Sequence, residues 1–288
     1  MHPRNIHNTH YNFKELSKVN PDLENFIIKN QHTNDFTIDF SNPKAVIALN
    51  KALLLHHYQL QNWELPEGFL CPPIPSRVDY IHHISDLLSD ENQPIKGLDI
   101  GVGANAIYTI LGVQVYGWEM VGCDINLESV KAAQKNINFT PKLAEKVTIV
   151  HQPDSANIFK GIIQPNDYFH FTVCNPPFYT SEEDAAKNAK QKLTNLGKGA
   201  SELNFGGQHS ELWCNGGEAL FLKRMIKQSA DFKTQVGYYT SLVSKKENLP
   251  KIEKQLKKLK ANYTIIPMEH GNKKTRFIAW SFIKPFDK

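Results

Sequence analysis

From residue 95 onward, short apolar runs alternate with helical stretches, and no other feature of the chain restricts its fold so strongly. "IKGLDI" (95–100), "EMVGCDI" (119–125), "KVTIVHQ" (146–152), "YFHFTVC" (168–174) and "QVGYYTSLVS" (235–244) read as strands. "NAIYTILGVQ", "LESVKAAQKNINF", "GEALFLKRMIKQSA" and "NLPKIEKQLKKLKA" carry helical periodicity, and "ANIFKGII" is read as helical too. Alternation of this kind calls for right-handed crossovers and a mainly parallel sheet. The chain closes on "YTIIPM" and "TRFIAWSFI" joined by "EHGNKK", which adds an antiparallel C-terminal hairpin. The predicted fold is α/β and Rossmann-like, with a seven-stranded sheet flanked by helices.

Before this series lies a different pattern. "NPDLENFIIKN" reads as a short helix with Asn20 as its N-cap, "DFTIDF" (35–40) as a strand, and "SNPKAVIALNKALLLHHY" as a helix running to about Tyr58. The proline-dense "PEGFLCPPIPSR" (66–77) is a stiff connector. Residues 1–75 are therefore expected to form a small helical module, and 76–288 the main domain. No run approaches the roughly 18 apolar residues of a membrane span, and "MHPRNIHNTH" lacks a signal peptide's apolar stretch. Cys71, Cys123, Cys174 and Cys214 are scattered without a C-x-x-C pair, as in a reducing compartment. A cytoplasmic protein is expected.

The formal net charge of +4 hides an asymmetry. Residues 1–186 carry 13 Lys/Arg against 21 Asp/Glu, and residues 187–288 carry 20 against 8. A basic C-terminal third points to a polyanionic partner, nucleic acid first.

"LDIGVGANA" (98–106) leaves a strand and opens a helix. Gly101 and Gly103 let the backbone turn tightly and approach a ligand closely. Asp124 ends the next strand, 23 residues after Gly101, where a carboxylate can accept from both ribose hydroxyls. This spacing fits a nucleoside-containing cofactor, a dinucleotide included. Asp99, just before the glycines, would repel a pyrophosphate but suits a methionine amino group. It favours S-adenosylmethionine over NAD.

"CNPPF" (174–178) ends the strand "YFHFTVC", on the rim where the glycine loop lies. A double proline stops a strand and stiffens the corner beyond it. Asn175 Oδ1 and the Pro176 carbonyl can both accept protons from an exocyclic aromatic amine, freeing its delocalised lone pair. Pro176 and Pro177 hold those acceptors in place, and Phe178 offers a face for stacking on a flipped-out base.

With these motifs in place, the chain resembles the class I methyltransferases, and closely the ribosomal RNA large-subunit adenine-N6 methyltransferase F family. The likeness extends to "HPRN", "NPKAVIALNKALL", "GFLCPPIPSRVDYIHH", "LDIGVGAN", "LNFGGQHSELWCNGGE", "TSLVSKKENLP" and "TRFIAWSF", which together span nearly the whole chain. The resemblance implies methylation of N6 of one adenosine in 23S ribosomal RNA with S-adenosylmethionine and no metal. It puts Arg77 near the cofactor's carboxylate, Gly101 and Gly103 along its methionine end, and Asp124 on its ribose. Asp154 or Ser155 would lie near its adenine, and Asn175 to Phe178 would hold the target base. Asp124 stands where the family favours glutamate. The arm "HPRNIHNTHYNF" is poorer in arginine than such proteins, and the basic insertion at about 180–215 uses lysine in its place.

Other readings of the same motifs are N6-adenine methylation of another structured RNA, glutamine-N5 methylation of a protein, and an NAD dehydrogenase. A non-catalytic RNA-binding module is a further one. His2, His7 and His10 have no acid or cysteine nearby in sequence, so they are expected on a flexible arm lying on RNA. His56-His57 and His82-His83 are adjacent pairs expected to point to different sides of helices. The insertion "KNAKQKLTNLGKGASELNFGG" (187–207) is expected to be a mobile basic loop that orders over substrate, while Trp213 and Trp280 are expected in the core.

Overall fold

The computed structural model describes residues 1–30, 34–177, 179, 181, 214–270 and 273–286. The basic insertion, Trp213 and Phe178 lie outside the described residues. Among the described residues nine strands form: β1 (Ile27–Lys29), β2 (Phe36–Ile38), β3 (Lys96–Ile100), β4 (Glu119–Asp124), β5 (Val147–His151), β6 (Phe169–Cys174), β7 (Val236–Leu242), β8 (Asn262–His270) and β9 (Lys273–Ser281). The first two pair as an antiparallel ribbon; the other seven form one sheet in the order β5-β4-β3-β6-β7-β9-β8. Pairing is parallel from β5 through β7, and β9 runs antiparallel to both β7 and β8. The helices are α1 (Phe13–Val19), α2 (Pro43–Tyr58), α3 (Ile74–Leu87), α4 (Ile107–Tyr116), α5 (Leu127–Asn138), α6 (Pro141–Lys146), α7 (Gly217–Ser229) and α8 (Leu249–Lys258).

Local chemistry sets the helix starts. Asn42 Oδ1 accepts from the amides of Lys44 and Ala45, Pro43 opens α2, and Gln59 ends it in the left-handed region at φ 56°. Asn126 caps α5 in the same way. The sheet is covered on both faces. Along β9, Phe277 and Ala279 join the core that α2, α3 and α4 build, while Ile278 and Trp280 join the one built by α7 and α8. Each such fully buried side chain contributes roughly 1.5–3 kcal/mol. On α8 Ile252 and Leu256 are buried while the lysines are exposed, as the amphipathic pattern requires. Trp280 donates Nε1–H to Ser229 Oγ at 3.0 Å inside the core. Among the described residues no helix is long and apolar enough to cross a membrane.

Three expectations are corrected. Residues 156–163 form turns with an isolated bridge between Lys160 and Ile163, because Asp154 and Gln228 capture the amides that a helix would use. Asn20 holds the N-cap position of Pro21–Phe26 as expected, but that segment is 3-10 helix and the Asn20 side chain donates to Ala48 O at 2.8 Å rather than to the helix. The N-terminal arm is docked rather than free. The amide of His2 donates to Asp79 Oδ1 at 2.6 Å, its Nε2 meets Asp86 Oδ2 at 2.9 Å, and Arg4 pairs with Asp86 and the His82 carbonyl. His82 and His83 do not point apart, since both rings flank His2 at 5.2 and 4.9 Å. His7 is buried against the Tyr58 hydroxyl at 2.8 Å. Thus α3 supplies the acids that the arm's own sequence lacks.

Candidate active site at the carboxyl ends of the central strands

The chain runs outward from β3 through β4 to β5 and then returns to β6 on the other side of β3, so the loops after β3 and β6 diverge. In a parallel sheet such a divergence leaves a crevice. Ile100 is level with Cys174 on one side and Cys123 on the other. The loops that begin at Gly101 and Asn175, and the carboxylate of Asp124, therefore leave the sheet side by side. Gly101 and Gly103 both have positive φ, at 78° and 59°, a conformation strained for any residue with a Cβ. The Cys123 carbonyl takes the amides of Gly101 and Val102, each at 2.9 Å. Asp124 closes the loop from below, with Oδ2 accepting from Gly103 N at 3.0 Å and Oδ1 from Asn126 N at 2.8 Å.

These elements enclose a cavity of about 300 Å³. Arg77, Gly101, Gly103, Asp124, Ser155, Asn175 and Pro177 line it. Asp99 lies beneath, fully buried, and neither of its oxygens has a hydrogen-bond partner among the described residues. Burial first, then the neighbouring Asp124, push its carboxyl well above the ordinary range, against the pull of the Arg77 guanidinium. Burial also raises Asp124, opposed by the amides it accepts. Arg77 lies over the Tyr108 ring, 5.6 Å from its centroid. Two buried carboxyls beside one guanidinium suit a ligand that carries a cation next to a carboxylate. Asn175 Oδ1 is likewise buried and without a partner among the described residues, an acceptor held at the end of β6. Leaving such an acceptor unmet costs about 1–3 kcal/mol.

Comparison with known proteins agrees with this geometry. Residues 1–284 match a family model described as RNA methyltransferase. A Christiangramia forsetii protein named Ribosomal RNA large subunit methyltransferase F is 57% identical over 285 residues, covering 98% of this chain and 100% of the relative. The Flavobacterium johnsoniae protein of that name is 47% identical over 296 residues, covering 98% and 93%. The chain belongs to this RNA methyltransferase family. Among solved structures, the human Mettl16 catalytic domain in complex with MAT2A 3'UTR hairpin 1 superposes with a TM-score of 0.85 at 27% identity, covering 100% of this chain and 99% of the other. The N-terminal domain of human METTL16 in complex with SAH gives 0.79 at 26% identity, covering 99% of each.

Within the family fold, several predicted residues sit off the cavity wall. Asp154 turns back on its own loop, accepting from Ala156 N and Asn157 Nδ2 at 2.8 Å each, so Ser155 is the member of that pair on the cavity. Pro176 is buried behind the wall. Other lining residues escaped the sequence reading: Leu70 and Pro72 from the connector, Tyr108, Gln152 and Arg224. Gln152 is pinned by Lys160 O at 2.9 Å, and Arg224 Nη1 donates to Ser155 O at 3.1 Å. Their signal is weak in sequence because Leu70, Pro72 and Gln152 reach the cavity from loops, and Tyr108 on α4 and Arg224 on α7 from helices, whose placement depends on distant contacts. Away from the cavity, His2, His83 and Asp86 bring ligand-type atoms within 4.8 Å of one another, but Arg4 already pairs with Asp86 there.

Proposed function

We propose that this protein transfers a methyl group from S-adenosylmethionine to N6 of one adenosine in 23S ribosomal RNA, in the cytoplasm. The observation that carries the reading is the buried Asn175 Oδ1, without a partner among the described residues, in one cavity with the Gly101–Gly103 loop. When bound, the cofactor supplies an electrophilic methyl on a sulfonium. Arg77 would hold its carboxylate, and Asp99, whose oxygens have no hydrogen-bond partner among the described residues and fit a cationic amine, would answer its ammonium. Asp124 would hold the ribose, while Ser155 and the loop around Asp154 would lie against the adenine.

The chain's own chemistry is confined to the acceptor. Asn175 Oδ1 and the Pro176 carbonyl would accept hydrogen bonds from the two N–H groups of the exocyclic amine, turning its lone pair out of the ring; the N–C bond forms as the S–C bond breaks and S-adenosylhomocysteine leaves. Pro177 would fix that corner, and Phe178 is proposed as the ring that meets the base. An aromatic amine so held needs no general base before attack; its proton leaves afterwards to solvent. Positioning and amine polarisation then supply the rate. Residues 1–75 would serve as an RNA-contacting module. The names of the relatives and the RNA hairpin bound by the human structural neighbour support an RNA substrate over a glutamine side chain. Methyl transfer to rRNA, with the modified nucleoside identified, tests the reading.

A further inference from the structure

Glu218, in the first turn of α7, is only 2% exposed, and its carboxylate is spent on the segment just after β7. Oε1 accepts from Ser244 N at 2.5 Å; Oε2 accepts from Lys245 N at 3.2 Å and from Asn248 Nδ2 at 2.6 Å. Arg276 of β9 grips the same segment from the other side, with Nη1 donating to the carbonyls of Val243 and Ser244 at 3.4 and 3.3 Å. The segment is thus fixed at the carboxyl end of β7, the strand next to the one that presents Asn175. Cys214 and Asn215, just before Glu218, line the cavity itself. What the anchoring holds up to solvent is Lys245 and Lys246, both exposed, with Glu247 the acid beside them.

Burying a carboxylate costs several kcal/mol unless it is fully hydrogen-bonded, as Glu218 is. A lysine pair that served only solubility would need no such anchor. We propose that Lys245 and Lys246, with Arg276 beside them, form the phosphate-binding rim for the RNA strand that flanks the target nucleotide. This rests on the RNA-methylating function proposed above. A base drawn into the cavity leaves its neighbouring phosphates at the mouth, where two point charges can follow a backbone without demanding bidentate geometry.

The test is the double substitution Lys245→Glu/Lys246→Glu, set against Lys233→Glu/Lys260→Glu. The control makes the same charge change before β7 and before β8, at the amino ends of these strands and so at the opposite end of the sheet from the rim. Methyl transfer to 23S rRNA and RNA affinity are measured across a salt series, and S-adenosylhomocysteine titration checks that each variant is folded. The rim variant should raise KM for RNA at least ~10-fold and flatten the slope of log affinity against log salt by about 1.4–1.8, as for two lost phosphate contacts. Its kcat at saturating RNA and its cofactor affinity should stay within about twofold, and the control should resemble wild type in both slope and KM. A rim variant indistinguishable from the control would overturn the inference and leave the proposed function standing. Wild-type protein that neither binds nor methylates rRNA would overturn both.

Discussion

Trp63 donates its indole N–H to the carbonyl of Asn105 at 3.0 Å, joining the N-terminal part of the chain to the glycine loop across 42 residues. Both residues are buried. Asn136 completes the clasp, with Nδ2 donating to Ala104 O at 3.0 Å and Glu64 O at 2.8 Å while Oδ1 accepts from Glu64 N at 2.8 Å. Asn105 in turn donates to Leu70 O at 3.3 Å, and Leu70 lines the cavity. The loop that would meet the cofactor and the connector that walls the site are therefore one hydrogen-bonded unit.

Trp63→Phe keeps a ring in place but leaves the Asn105 carbonyl buried without its donor, at a cost of about 1–3 kcal/mol. Expected are a lower Tm and a roughly 5–10-fold weaker affinity for S-adenosylhomocysteine, through a looser loop. A lowered Tm with unchanged affinity would show that the clasp stabilises the chain without positioning the loop.

Asn175→Ala removes the side-chain oxygen proposed to accept from the amine. Methyl transfer should fall by at least ~10²-fold, as for loss of one preorganised group that acts in the transition state. Calorimetric binding of S-adenosylhomocysteine should survive. Retained turnover sinks the role given to Asn175.

Asp124→Ala should weaken cofactor binding ~10–100-fold, the range for a lost hydrogen bond to a charged group. It also strands the amides of Gly103 and Asn126, so the Tm should drop as well. Calorimetry separates the two effects, and an unchanged affinity removes the carboxylate from the ribose.

Asp99 governs a dependence on pH. Its folded-state pKa lies well above the ordinary 3.8, so the folded chain holds a proton that the unfolded chain gives up. The stability tied to that proton is complete below the ordinary carboxylate range and is lost as pH rises through the raised value. Asp99→Asn cannot ionise and escapes the loss. The variant should match wild type in acid and gain on it as pH climbs, by about 2–4 °C in Tm for each kcal/mol. Its cofactor affinity should lie below that of wild type once pH exceeds the raised value, since an amide answers an ammonium less well than a carboxylate does. Parallel melting curves at all pH values would remove Asp99 from this role.

Much of this was legible because it is local. The alternation after residue 95, the glycine turn and the Asn-Pro-Pro corner each write their constraint into consecutive residues, and all three met at the carboxyl ends of β3, β4 and β6. What stayed hidden depends on partners far along the chain. His2 looked unpaired because its acids, Asp79 and Asp86, lie 77 and 84 residues away on α3. Leu70 and Pro72 read as connector because nothing near them in sequence says that a cavity will form beside them. Residues 156–163 have helical spacing, yet Gln228 on α7 takes the Ile158 amide from 70 residues off.

The most direct measurement is transfer of a tritiated methyl group from S-adenosylmethionine to ribosomal RNA from a strain lacking this gene, followed by nucleoside analysis. The expected result is label comigrating with N6-methyladenosine and confined to 23S rRNA. Label in protein alone, or in a nucleoside other than N6-methyladenosine, would contradict it.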